Sequence, residues 1–178
     1  MRLKDLIFLF IPLLVTCQES KDTEIWGPIP EEVYTISDSA PPTDAIILFD
    51  GSDLSKWKPR WGKEESGWQI NEDGSVTVVF DDTGGIETKE NFGSVQLHVE
   101  WKTSEDTSYQ NQDRSNSGVF LQGRYEIQIL DSYKSPTYVN GQAGSVYKQY
   151  IPLVNASRKP GEWQLSLIHI SEPTRPSQ

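Results

Sequence analysis

Five polar side chains stand at strand-like spacing in the middle of this chain. Glu100 and Lys102 lie in "SVQLHVEWKT", and Glu126, Gln128 and Asp131 lie in "YEIQILDS". A carboxylate can take a proton from carbon or oxygen, and an ammonium can hold an oxyanion that forms beside it. Side chains alternate along a strand, so Glu100 and Lys102 project from one face, with His98. The same alternation groups Glu126 with Gln128 and leaves Asp131 on the opposite face. One extra residue, a β-bulge near Ile129–Leu130, would bring Asp131 round to join them. On a solvated face such charges contribute little. On the concave face of a sandwich, two neighbouring strands would share them as one site.

The elements that must position these groups are short and β-like. "AIILF" from Ala45 reads as an apolar strand followed by the turn "DGSD". "WQI" and "SVTVVF" flank "NEDG" as a hairpin would. "SVQLHVEWKT" is the clearest strand, with Leu97, Val99 and Trp101 on its apolar side. A long polar loop, 104–117, has the character of loops that line sites. "GVFLQG" and "RYEIQILDS" follow as two more strands. No window keeps a helical period over several turns, and six tryptophans sit among frequent Gly and Asp turns. That pattern predicts an all-β sandwich or jelly roll. Trp57 and Trp68 are expected in its core, whereas Trp61, between Arg60 and Gly62, is a candidate sugar-stacking platform at the rim.

The ends of the chain carry other signals. Arg2 and Lys4 precede "LIFLFIPLLV", Leu6–Val15, which is too short for a permanent membrane span and reads as a signal-peptide core. "LVTC" resembles a bacterial lipobox ending at Cys17, the only cysteine, with Thr16 departing from the usual small residue. The expected organisation is a lipoprotein signal peptide over 1–16, lipidation of Cys17, and a Pro-rich tether over 17–44. The domain would then span 45–164, with Gln18 pointing to the outer membrane. A lone cysteine leaves no disulfide framework within the chain. The net charge is −10, and −11 once residues 1–16 are removed, which argues against nucleic acid as a partner. At the other end, "LSLIHISEPTR" from Leu165 resembles a translated transposase sequencing adapter over eleven consecutive positions. By that resemblance Leu165–Gln178 is foreign, His169 is no catalytic candidate, and the closing C-terminal strands of the domain are missing.

The order of segments carries a further resemblance. "ILFDGSDLSKW", "GWQINEDGSV", "IETKENFGSVQLHVEWK", "NSGVFLQGRYEIQILDS", "AGSVY" and "KPGEW" resemble the 3-keto-disaccharide hydrolase domain family over Trp26 to Trp163. The resemblance implies a concanavalin-like β-sandwich acting on oxidised sugars. A ketone at C3 acidifies the proton at C2, so a carboxylate can remove it and the C1 substituent can depart; water can then add back. Glu100, Lys102, Glu126 and Asp131 are suitable catalytic types for that route. His98, Asn116, Ser117 and Gln128 are suited to bind substrate, and Tyr147 could donate a proton. A divalent metal held by carboxylates and His98 would also stabilise an enolate, although no compact metal-spacing motif is visible. "YEIQILD" also resembles the E-x-D-x-x-E strand of jelly-roll glucanases, with Gln128 and Asp131 in place of the second and third acids. A two-carboxylate glycosidase needs both acids at a set separation, so the ordinary glucanase is disfavoured. A non-catalytic sugar-binding sandwich is the other alternative.

Overall fold

The computed structural model describes residues 21, 24–37, 40–62, 64–79 and 84–171. The signal segment, Cys17 and the end of the adapter-like tail lie outside them. The chain divides into two compact units, 1–85 and 86–178. Among the described residues there is no α-helix, only strands and short 3-10 turns.

In the first unit, β1 spans Trp57–Pro59, β2 Gln69–Ile70 and β3 Val76–Thr77. The expected hairpin around "NEDG" forms, with Gln69 opposite Thr77 and Ile70 opposite Val76. Its turn is tightened by Gly74 at φ 77° and by Asp73, which accepts from the Ser75 N–H and hydroxyl. "AIILF" is not a strand. The Ile47 carbonyl accepts from Lys56 Nζ at 2.6 Å and the Leu48 carbonyl from the Trp57 indole N–H at 2.8 Å. Side chains thus satisfy backbone groups that a ladder would otherwise need. Trp57 and Trp68 are half-buried. Residues 24–37 are exposed and form no helix or strand, apart from an isolated bridge between Thr35 and Pro42.

The second unit contains β4 (Ile86–Thr88), β5 (Val95–Lys102), β6 (Ser117–Leu121), β7 (Tyr125–Ile129) and β8 (Trp163–Ile170). β5 and β8 pair antiparallel through eight registered positions, from Val95 opposite Ile170 to Lys102 opposite Trp163. Closing strand β8 therefore occupies the place where none was expected. Ile168 and Ile170 fall on the side of Leu97 and Val95, where they continue the apolar row of β5, and Ser166 accepts from the Trp101 indole at 2.9 Å. The outward row of β8 leaves Trp163, Leu165 and Leu167 exposed.

β6 and β7 form a hairpin with Gly118 opposite Gln128 and Phe120 opposite Glu126. Its turn has Gln122 at φ 53° and Gly123 at φ 64°, and the Arg124 N–H donates to the Leu121 carbonyl at 3.0 Å. Positive φ at both central residues matches the right-handed twist of the flanking strands. The far edge of β7 is covered by residues 144–147. Gly144 N–H donates to the Gln128 carbonyl, Gln128 N–H to the Ser145 carbonyl, and Tyr147 N–H to the Glu126 carbonyl, at 2.9, 3.0 and 2.9 Å. Leu130 is the one fully buried apolar side chain among the described residues; Gln128, Asp131, Ser132 and Ser145 are buried with it.

Candidate active site

Glu126 is held from three sides. The hairpin register places it on the same face as Gln128, Gly118 and Phe120, because opposed residues share a face. Gly118 is what makes room for it: a Cβ there would lie 2.3 Å from Glu126 Oε1 and 2.6 Å from Cγ. The glutamate therefore lies down across β6 instead of standing out into water. Burial accordingly pushes its carboxyl above the ordinary glutamate value. Such a carboxyl retains its proton to higher pH and is a stronger base when ionised.

Beside it, the buried Gln128 amide faces oxygens in both directions. Glu126 Oε1 and the Ser117 carbonyl lie 3.1 Å away on one side. Gln112 Oε1 and Asn116 Oδ1 lie at 3.2 and 3.3 Å on the other. Turned towards Glu126, the amide N–H holds the ionised carboxylate; turned away, its oxygen can accept from the protonated acid. Gln112 is itself fixed by donating to Thr137 Oγ1 at 2.8 Å and the Gly141 carbonyl at 2.9 Å.

Past Glu126 stand two phenols. The hydroxyls of Tyr138 and Tyr147 are 2.5 Å apart, their ring centroids 6.2 Å apart, and their planes tilted by 54°. The Lys148 ammonium lies 5.3 Å from the Tyr138 ring centre and 5.5 Å from that of Tyr147. The Tyr138 phenol is pushed up to about 12, first by its hydrogen bond with Tyr147, then by burial and the nearby Tyr147 and Glu126 charges. A half-buried carboxyl, a group of amides and a phenol pair thus lie on and beside β7.

The other expected residues are placed differently. No bulge brings Asp131 to Glu126. Asp131 is buried and accepts from Arg114 Nε at 3.0 Å and from Arg114 Nη2; its own N–H donates to the Arg114 carbonyl at 3.0 Å. Its second oxygen accepts from the Tyr133 N–H at 3.1 Å. With its lone pairs so used, Asp131 anchors the loop carrying Gln112 and Asn116 to the end of β7. Ser117 stands opposite Ile129, so its hydroxyl lies on the face away from Gln128. Glu100, Lys102 and His98 do share one face of β5, but the strand bonded to β5 is β8, while β7 pairs with β6. The expected single face of two adjoining strands is thus divided between separate sheets. His98 Nε2 sits 3.0 Å from Glu100 with both side chains more than half exposed, and Lys102 lies over the Trp163 ring at 5.0 Å. Open grooves border β5 and β8, one of them lined by Glu100, Arg158 and Trp163. Water reaches those groups freely, unlike the half-buried Glu126. Trp61 is exposed in the first unit, with the Arg60 guanidinium 5.1 Å from its ring centre. Among the described residues, no three of His, Cys, Asp and Glu gather into a group able to hold a metal ion.

Sequence reasoning missed Gly118, Gln112, Tyr138 and Lys148. Gly118 was recoverable: pairing the strands about "QG" sets it opposite Gln128. Gln112 lay in the loop marked as site-lining. Tyr138 and Lys148 gave no periodic signal, because they sit in irregular chain.

The fold is an all-β jelly roll of the concanavalin-like class, and its family and structural relatives make the chain a carbohydrate-active, hydrolase-like protein. The chain belongs to the 3-keto-alpha-glucoside-1,2-lyase-like domain family, whose model matches residues 44–174. It is also similar to two crystal structures of proteins from Parabacteroides distasonis ATCC 8503, each called a "putative glycosyl hydrolase". The first is 45% identical with a TM-score of 0.78, over 88% of this chain and 67% of that one. The second is 25% identical with a TM-score of 0.54, over 70% of this chain and 62% of that one. None of the curated proteins matches the chain.

Proposed function

We propose that the protein cleaves the glycosidic bond of 3-keto-glycosides by β-elimination, with Glu126 as base and Tyr147 as acid. The observation that carries this reading is the half-buried Glu126 carboxyl, raised by desolvation, with Tyr147 tied to its backbone carbonyl and its charge felt by Tyr138. Glu126 takes the C2 proton, which the C3 ketone acidifies. The electron pair forms the C1–C2 double bond as the C1–O bond breaks. The departing oxygen takes the proton of Tyr147. Release at that stage is the lyase outcome. If water adds instead, its hydroxide goes to C1, its proton returns to Tyr147, and the Glu126 proton returns to C2, giving net hydrolysis. Exposed Asn116 is the amide suited to hold a sugar hydroxyl, whereas Gln128 is buried and the Gln112 amide already donates to Thr137 and Gly141, so these two position their neighbours. A two-carboxylate displacement lacks its second acid, since Asp131 is occupied by Arg114.

Incubation with a 3-keto-glucoside and with its unoxidised parent tests the proposal. Turnover of the ketone alone is expected, and Glu126→Gln should lower it by about a hundredfold or more. Turnover of the parent would favour a glucanase, and binding without turnover a sugar-binding module. A comparable loss for Glu100→Gln, with Glu126→Gln active, would move the chemistry to β5. The apolar leader ending at Cys17 supports the companion proposal that the enzyme is exported and held at the cell envelope by lipid.

A further inference from the structure

We infer that Tyr138 is a positioning residue: it fixes the Tyr147 hydroxyl towards the leaving oxygen and supports the charge left on it by proton transfer. This rests on the proposed cleavage and names the device that makes Tyr147 an acid. Two phenol oxygens 2.5 Å apart share one hydrogen bond, so one of them must donate to the other. We take Tyr138 as the donor, the direction that leaves the Tyr147 proton free, and the raised Tyr138 phenol agrees with it. The Tyr147 oxygen accepts from Tyr138 and keeps its own proton free to point at substrate.

The surrounding chain is built for this placement. Gly141 lies against the Tyr138 ring so closely that a Cβ there would be 2.0 Å from a ring carbon. The Tyr147 N–H is tied to the Glu126 carbonyl at 2.9 Å, which sets the acid relative to the base through one backbone bond. Lys148, at φ 57° in the left-handed region, donates its N–H to the Asn140 carbonyl at 2.8 Å. That strained position brings its ammonium over both rings, where positive charge favours a phenolate. When Tyr147 gives up its proton, the negative oxygen already has a donor in place and needs no reorganisation.

The test uses the intact protein and two 3-keto-glucosides, one carrying 4-nitrophenol and the other methanol as leaving group. Nitrophenolate departs without a proton; methoxide does not. Tyr147→Phe should lose about a hundredfold in kcat on the methyl substrate and little on the nitrophenyl one. Tyr138→Phe should follow the same pattern at about tenfold on the methyl substrate, with KM held within about twofold. Equal losses on both substrates would reduce Tyr138 to a structural role. No loss on the methyl substrate, while Tyr147→Phe keeps its dependence, would remove Tyr138 from the reaction. A wild-type enzyme inert towards both ketones would overturn the cleavage itself and this inference with it. Without substrate, 13Cζ-tyrosine NMR should show Tyr138 neutral until about pH 12 in the wild type and titrating near the ordinary value of about 10 in Tyr147→Phe. Ordinary titration of Tyr138 in the wild type would overturn the shared hydrogen bond.

Discussion

Gly118→Ala separates activity from stability at one atom. The new Cβ would meet Glu126 Oε1 at 2.3 Å, Cγ at 2.6 Å and Cδ at 2.8 Å, whereas ordinary contact begins near 3.4 Å. The carboxyl must retreat by about 1 Å, and since three atoms of the side chain collide, a small rotation of its tip does not relieve the clash. A misplacement of that size can cost about a hundredfold in rate, or about 2.7 kcal/mol of transition-state stabilisation. The fold should hardly notice. Gly118 is not among the glycines at positive φ, so alanine fits its backbone, and the lower entropy of the unfolded chain offsets part of any packing cost by about 0.4–1 kcal/mol. The expected result is kcat/KM on a 3-keto-glucoside down by about a hundredfold with the thermal midpoint nearly unmoved. Wild-type kcat/KM in Gly118→Ala would refute the claim that the position of Glu126 over β6 matters.

Asp131→Ala leaves the Arg114 guanidinium buried without its partner and should cost about 3–5 kcal/mol in urea unfolding; a loss under 1 kcal/mol would make the pair incidental. The raised Glu126 value sets two pH trends. The acid limb of kcat/KM should fall above the ordinary glutamate value of 4.5 and disappear in Glu126→Gln. In the folded state Glu126 holds its proton to higher pH than in the unfolded chain, so its contribution to stability is present below 4.5 and is lost as pH rises through the folded value. A wild type and Glu126→Gln with parallel stability curves across that window would contradict the shift. Cys17→Ser in a bacterial host should abolish fatty-acid labelling and release the protein from membranes; unchanged partition would require another anchor. Sequencing the source locus without transposase adapters should give other codons after that of Gln164, and in-frame genomic codons for Leu165–Gln178 would remove the adapter resemblance.

The strands were legible where alternation or turn chemistry was strong. β5 was read from Leu97, Val99 and Trp101 against His98, Glu100 and Lys102, and "GVFLQG" and "RYEIQILDS" were read as the strands that form the β6–β7 hairpin. "AIILF" misled because its carbonyls are met by Lys56 and Trp57 side chains, a local choice that hydropathy does not register. Periodicity also could not say which strands adjoin. Glu100 and Glu126 are equally good carboxylates by type; they differ in pairing partner and in access to water, which are properties of the folded chain. Asp131 was misread for a related reason. Its role is decided by Arg114, seventeen residues away across a loop with no repeating pattern. The tyrosine pair was half visible: Tyr147 stood out as a proton donor, but its partner became apparent only when irregular chain folded back beside β7.

The covering of the far edge of β7 by residues 144–147 has an evolutionary consequence. The proposed base and acid, the amides and the glycine that seats Glu126 all come from one uninterrupted run, Gln112 to Lys148. No residue of that group is borrowed from β5, β8 or the first unit. A lineage can therefore exchange, lengthen or rewrite its flanking strands by recombination and still inherit the reactive apparatus as one block. Relatives that diverge in substrate should differ first in what surrounds the block, and a relative that has lost the chemistry should carry its lesion inside it.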